Sequence, residues 1–381
     1  MTRKKGVKAT AASKSGSNEQ GQSALPRRPG AAIEERIHMK RRVFLGAGLG
    51  GLTLAAPAVI TQANLSLSLV TDHADAGTAL AARIAGMSGG RITVDVEASP
   101  PPTAPQFLDR VSAGEVEMYL TSQDAFITRN PAFGLFAAMP GGMNSSELES
   151  WIIVGDGRLM WDALGAEFGI KAFLAGDEGA MPVWSRSPLT SLDDLKSGGA
   201  GSTGLGLQLL REMGVEDVVD VRERTDFTGV TALEGFNVAQ MVATGLLAEF
   251  PHMTTPNGGR PSSTISAGVN LQWWSGLSPT DRIILEQSIM AEHGTRRAFS
   301  MHTNVQALGA AGGAITAHDM PQDIWDAQIA GSNRVLSAMF DAGPLAADAA
   351  DAYFYFIRDV AGWSDIGETA YFLGRKEALS Q

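Results

Sequence analysis

The sequence predicts an α/β fold: two α/β lobes with a helical wrap at the C-terminal end. Three observations carry this. Leu65, Leu67 and Leu69 alternate with Ser66 and Ser68, the period-two pattern of a half-buried strand. A stretch with helical spacing and a second alternating stretch follow within about 30 residues, which makes a βαβ unit and hence a parallel pairing. From Ser278 onward the chain reads mostly as helix.

Taken in order, residues 64–71 form the first strand. Residues 76–87 form a helix that stops at Ser88-Gly89-Gly90, and residues 91–97 alternate again with Ile92, Val94 and Val96 on one face. Pro100-Pro101-Pro102 breaks the chain before a short helix at 106–113 and a strand at 115–121. Residues 147–168 predict one long helix carrying Leu148, Trp151, Ile152, Leu159, Trp161 and Leu164, whose spacing makes the tryptophans core rather than a stacking platform. Residues 192–196 read as a short helix or turn and 205–213 as a helix. Ser278-Pro279-Thr280-Asp281 places Ser at the N-cap, Pro at the first helical position and an acid at the third, a helix start. Helices at 322–340 and 346–360 follow.

A length of 381 residues suggests two domains once any leader is removed. With 44% hydrophobic and 19% charged residues, a normal core can form. The absence of cysteine excludes disulfides, thiolate metal sites, iron–sulfur clusters and a cysteine nucleophile. Of 30 Lys/Arg and 41 Asp/Glu, 11 and 3 fall in residues 1–63, leaving 19 basic and 38 acidic residues in the remainder. So acidic a body argues against nucleic acid or anionic lipid as a partner.

The basic excess precedes an apolar run. Lys40-Arg41-Arg42-Val43-Phe44-Leu45, then a glycine-diluted apolar stretch and Ala-Pro-Ala58 or Thr-Gln-Ala63, reads as a secretory leader of the twin-arginine (Tat) type, with Tat translocase as the export partner and the periplasm as destination. An uncleaved anchor is the alternative reading of residues 43–60. Residues 1–38 are basic, rich in Ser, Ala and Gly, and without apolar periodicity, hence disordered; Met39 is an alternative start. The expected organisation is an extension (1–38), the leader (39–63), a first lobe core with a crossing segment (64–185), a second lobe core (186–275) and helices completing both lobes (276–381).

Gly199-Ala200-Gly201-Ser202-Thr203-Gly204 is a literal GxGxxG, but a dinucleotide fingerprint needs a strand before it. Its backbone N–H groups, opening onto the helix at 205–213, remain a candidate anion nest. The six histidines show no zinc-helix spacing, and there is no serine elbow or lysine-tagged phosphate loop.

Four segments resemble, in order, the solute receptors of TRAP (tripartite ATP-independent periplasmic) transporters. These are Asn130-Pro-Ala-Phe-Gly-Leu-Phe-Ala-Ala-Met-Pro140, the stretch Gly155-Asp-Gly-Arg-Leu-Met-Trp161 to Phe173, the turn Ser191-Leu-Asp-Asp-Leu-Lys196, and Trp363-Ser-Asp-Ile366 with Ala370-Tyr371. The resemblance is to the branch that binds 2-oxoacids and other small carboxylates. It implies a two-lobe periplasmic binding protein fold, with mixed sheets flanked by helices and a helical C-terminal wrap, that closes on its solute like a hinge. It also implies a membrane permease as partner, no chemical step, and an Na⁺ or Ca²⁺ ion in the site. Pairing of two copies through a C-terminal helix is a further family habit that residues 346–360 allow.

The departures fall in the implied pocket. In register, Gly201 stands where the family's carboxylate-binding arginine stands, beside Ser202 and Thr203. Met181 replaces a glutamine, Glu234 retains the family's acid, and Gly235 replaces a tryptophan. Arg260 replaces a glutamate, and Gln123 and Asp124 stand where tyrosines are lost. These residues are the candidate ligand site, with Glu234 the one candidate metal ligand and Asp177 and Glu178 weaker candidates. Two readings follow: a site rewired around Arg260, with the ion lost and Glu234 or Asp124 facing a polar or cationic part of the ligand, or a pocket that has drifted. Other functional classes are a sensor subunit presenting its ligand to a membrane signalling protein, and an exported enzyme.

Overall fold

The computed structural model describes residues 63–254 and 259–380. The predicted extension and leader, up to residue 62, lie outside the described residues. The chain begins with β1 (Leu65–Thr71), α1 (Ala74–Met87) and β2 (Ile92–Ala98), with β2 parallel to β1 from Leu65↔Ile92 to Thr71↔Ala98. This is the βαβ unit that the alternation predicts. Next come α2 (Phe107–Ser112), β3 (Met118–Thr121), α3 (Ser145–Ile153), α4 (Gly157–Glu167) and β4 (Ile170–Asp177).

The single helix expected at 147–168 is therefore two. The chain breaks at Val154–Asp156 because Gly157 must lie against the Trp151 ring, 2.6 Å from where a Cβ would stand. The break lets both tryptophans stack on Phe136, at 5.2 Å for Trp151 and 5.1 Å for Trp161, with all three rings buried. A continuous helix would fix the two rings on one straight stripe; the turn brings them onto one partner.

The second sheet follows: β5 (Val183–Ser185), α5 (Leu192–Lys196), β6 (Gly199–Ser202), α6 (Leu205–Glu212), β7 (Val218–Asp220), β8 (Val230–Leu233), α7 (Val238–Thr244) and β9 (His252–Thr254). The chain then returns to the first sheet as β10 (Thr264–Asn270). The strand orders are β2-β1-β3-β10-β4, and β11-β9-β5-β8-β6-β7 with β11 at Thr316–His318. Both sheets are mixed: β10 runs antiparallel to β3 and β4, and β5 antiparallel to β8 and β9.

After α8 (Leu271–Gly276), α9 (Pro279–Ala311) opens with Ser278 Oγ accepting from Asp281 N–H at 3.1 Å, the start its sequence predicts. This 33-residue helix packs on β4 and α1 of one sheet and on α7 of the other before the chain reaches β11. The wrap is completed by α10 (Gln322–Met339) on α6, α11 (Pro344–Ser364) on α4, and α12 (Ala370–Leu379), which buries no residue.

Candidate ligand site at the crossing segments

The chain passes between the sheets through residues 178–182 and returns through 259–263. These two segments lie side by side: Met181 and Arg260 exchange backbone hydrogen bonds of 2.8 and 3.1 Å, and Glu178 N–H donates to Ser263 O at 2.9 Å. The Arg260 side chain is thereby fixed between the sheets and is 2% exposed.

Three further elements deliver polar groups to it. Asp124 sits in a 3₁₀ turn (Gln123–Phe126) just past β3, capped by Ser122. Ser202 ends β6 and Thr203 follows it, and Glu234 follows β8 with its N–H on Gly201 O at 2.7 Å. The Arg260 guanidinium donates to Asp124 Oδ2, to Glu234 Oε1 at 3.2 Å and Oε2 at 3.3 Å, and to both Thr203 O and Thr203 Oγ1 at 2.9 Å. Thr203 Oγ1 donates to Asp124 Oδ2 at 3.2 Å, and Ser202 Oγ to Glu234 Oε2. Burial would lower the Arg260 pKa, but Asp124 and Glu234 together lift it above its ordinary value, so the cation is permanent.

The structure thus brings Arg260, Glu234, Asp124, Ser202 and Thr203 together. Met181 takes part through its backbone alone. Gly201 and Gly235 flank the cluster. A Cβ at Gly201 would stand 2.7 Å from Val221 Cγ1 and 2.8 Å from Leu233 Cδ2, so neighbouring strands fill the direction an arginine would need. Gln123 turns the other way and donates to Tyr119 Oη at 2.9 Å and Ser266 Oγ at 2.5 Å. Asp177, bonded to Ser262 Oγ at 2.6 Å, and Glu178, bonded to Gln240 Nε2 at 3.2 Å, brace the crossing segments instead.

The anion nest expected at 199–204 does not form. Gly199–Ser202 is an interior strand between β8 and β7, and its N–H groups serve the sheet, as Gly199 N–H to Gly229 O (3.2 Å) and Ala200 N–H to Asp217 O (2.9 Å). Gly204, at the N-cap of α6, has φ 54°, and any Cβ there would overlap the Asp124 carboxylate.

Sequence reasoning missed Arg222. It follows β7, whose register pairs Asp220 with Ser202, and it is clamped by Asp220 at 3.0 Å (Nε) and 2.6 Å (Nη2). Burial lowers its pKa and Asp220 more than offsets this; Asp124 and Arg260 lie near enough to act on it as well. An Asp-x-Arg at a strand end is its only sequence signal, and the strand register that aims it at the cluster cannot be read locally.

A cavity of about 40 Å³ reaches Gly201, Ser202 and Glu234 and continues among apolar residues of β6, α6 and α10. It has room for a few waters, not for a small acid. A cavity of about 270 Å³, lined by Glu149, Arg158, Phe173, Met290 and His293, lies on the α3 and α9 side, away from the cluster.

No family model matches the sequence. The chain is 29% identical over 204 residues to the monocarboxylate 2-oxoacid-binding periplasmic protein of Nostoc sp.; the match spans 52% of this chain and about half, 56%, of that relative. Its fold is similar to a TRAP solute-binding protein of Bordetella bronchiseptica with calcium and picolinate (TM-score 0.77, 21% identity, 84% of this chain and 99% of that one). It is also similar to one of Colwellia psychrerythraea with calcium and pyruvate (0.76, 20%, 82% and 99%). A third, of Pseudoalteromonas atlantica, holds sodium and pyruvate (0.75, 19%, 81% and 98%). Two mixed sheets joined by paired crossing segments, with helices closing over both, give this chain the fold of the TRAP periplasmic solute-binding proteins, and half of it carries sequence likeness to a 2-oxoacid-binding one.

Proposed function

We propose that the chain is the extracytoplasmic receptor of a TRAP transporter. It captures a small organic acid between its lobes and delivers it to the membrane permease, with no chemical step. The observation that carries this reading is the buried charged cluster at the crossing segments, where the two lobes meet and where hinge closure would enclose a solute. Arg260 is the positive element of that site, Glu234, Asp124, Ser202 and Thr203 are its polar partners, and Gly201, Gly235, Met181 and Gln123 form its surroundings. As the lobes part, a solute carboxylate takes over the hydrogen bond that Asp124 accepts from the guanidinium. Tat export of a leader ending at Ala58 or Ala63 delivers the receptor to the periplasm. A second copy docks on the C-terminal arm, whose Trp363, Ile366, Tyr371 and Leu373 are exposed.

The test is thermal unfolding of the purified protein against pyruvate, longer 2-oxoacids, other carboxylates, amino acids and polyols. A ligand at a thousand times its Kd adds about 4 kcal/mol of stability, a shift of several degrees. Stabilisation by a 2-oxoacid that weakens in Arg260→Lys supports the reading. Indifference to every carboxylate would sink it.

A further inference from the structure

Glu234 is the one candidate ion ligand, yet the place beside it is taken. Five oxygens surround the Arg260 guanidinium between the sheets: Asp124 Oδ2, both oxygens of Glu234, Thr203 O and Thr203 Oγ1. Two carboxylates, a carbonyl and a hydroxyl are the donor set of a hard cation such as Ca²⁺ or Na⁺. The space among them is filled by the guanidinium, and the Arg260 backbone is anchored by its pairing with Met181. The residues present therefore do not fit an added ion: its oxygens are engaged, and its room is filled by a side chain that stays charged.

Resting on the reading that this junction is the ligand site, we propose that Arg260 is a built-in replacement for a metal ion. It holds the two carboxylates together across the lobes and makes the site independent of calcium and sodium. The charge balance agrees with substitution. Asp124 and Glu234 carry two negative charges within a dry junction, and their own repulsion demands a cation there. The guanidinium supplies one charge in a planar fork that reaches three residues at once.

The decisive experiment needs no solute, so it stands or falls apart from the transport reading. The protein is treated with EDTA, dialysed, and its melting temperature followed against calcium chloride and sodium chloride, with choline chloride holding ionic strength. The wild type is expected to purify without stoichiometric calcium and to shift by less than about 1 °C in millimolar calcium. Arg260→Ala exposes the oxygen cage, and calcium should raise its melting temperature by about 5 °C or more. Arg260→Lys, which keeps a cation in place, should stay insensitive.

Stoichiometric metal or a calcium-dependent shift in the wild type overturns the proposal, as does a folded Arg260→Ala that ignores both salts. If the alanine variant does not fold, the wild-type titration and metal content decide, with Arg260→Lys as the second variant; a calcium response in that lysine variant counts against the proposal.

Discussion

Asp124 and Gly204 follow strands of different sheets yet touch, and this contact sets the tolerance of the site to single changes. Gly204 has φ 54°, and a methyl group there would enter the Asp124 carboxylate. Gly204→Ala is expected to cost about 1–3 kcal/mol from backbone conformation alone, and more if Asp124 does not yield, read as a lower urea midpoint. It should also push Asp124 off Arg260, so that any solute affinity changes together with stability. An unchanged midpoint would mean that the two lobes do not meet at this contact. At this scale the sequence was informative where family register could be followed: Arg260 and Glu234 are singled out by what they replace or retain. Arg222 and the inward turn of Gln123 were illegible, because both depend on which way a side chain leaves its strand end. Local spacing carries no such information.

Elements were read best where their ends carry local chemistry. Ser278-Pro279 with Asp281 marks the start of α9, and Ser191 with Asp194 closes a reciprocal cap on α5. The misread elements are those decided by distant partners. Trp151 and Trp161 keep helical spacing across the break, and the interruption is explained by Phe136, on which both rings stack, together with Gly157 lying against the Trp151 ring. The glycines of β6 look like a loop because they lack side chains. They form a strand because β7 and β8 close so tightly that nothing larger fits at Gly201. The C-terminal arm belongs to this scale too. Since α12 buries nothing and Trp363, at the end of α11, is exposed, Trp363→Glu with Phe372→Glu should leave unfolding of the body unchanged while converting a dimer to a monomer in light scattering. A wild type that already has monomer mass removes the second copy from the proposal.

At the scale of the molecule, the two-lobe α/β plan with its helical wrap was legible from periodicity. The way the lobes are joined was not, since the pairing of residues 178–182 with 259–263 links positions far apart in the chain. The buried tyrosines set an alkaline limit on the assembled core. Tyr119 and Tyr353 are both fully buried, and burial raises their phenols well above the ordinary 10.0; Tyr353 Oη also accepts from Met143 N–H at 3.0 Å. Unfolded tyrosines ionise near pH 10 while the folded ones hold their protons, so the native state binds more protons above that pH. Stability should be fully present below pH 10 and fall as pH rises beyond it, seen as a declining urea midpoint between pH 9 and 11. Tyr353→Phe should make that decline shallower, at the expense of an unsatisfied Met143 N–H worth about 1–3 kcal/mol.

The guanidinium held between the lobes bears on where such a receptor can work. A cation attached to the chain cannot be chelated, diluted or exchanged, and its local concentration is set by folding rather than by the surroundings. A receptor that borrows calcium or sodium captures its solute only as well as the outside medium supplies the ion. One that carries Arg260 should scavenge equally well in soft water, in brine or beside a chelating competitor, and its uptake should track the solute alone.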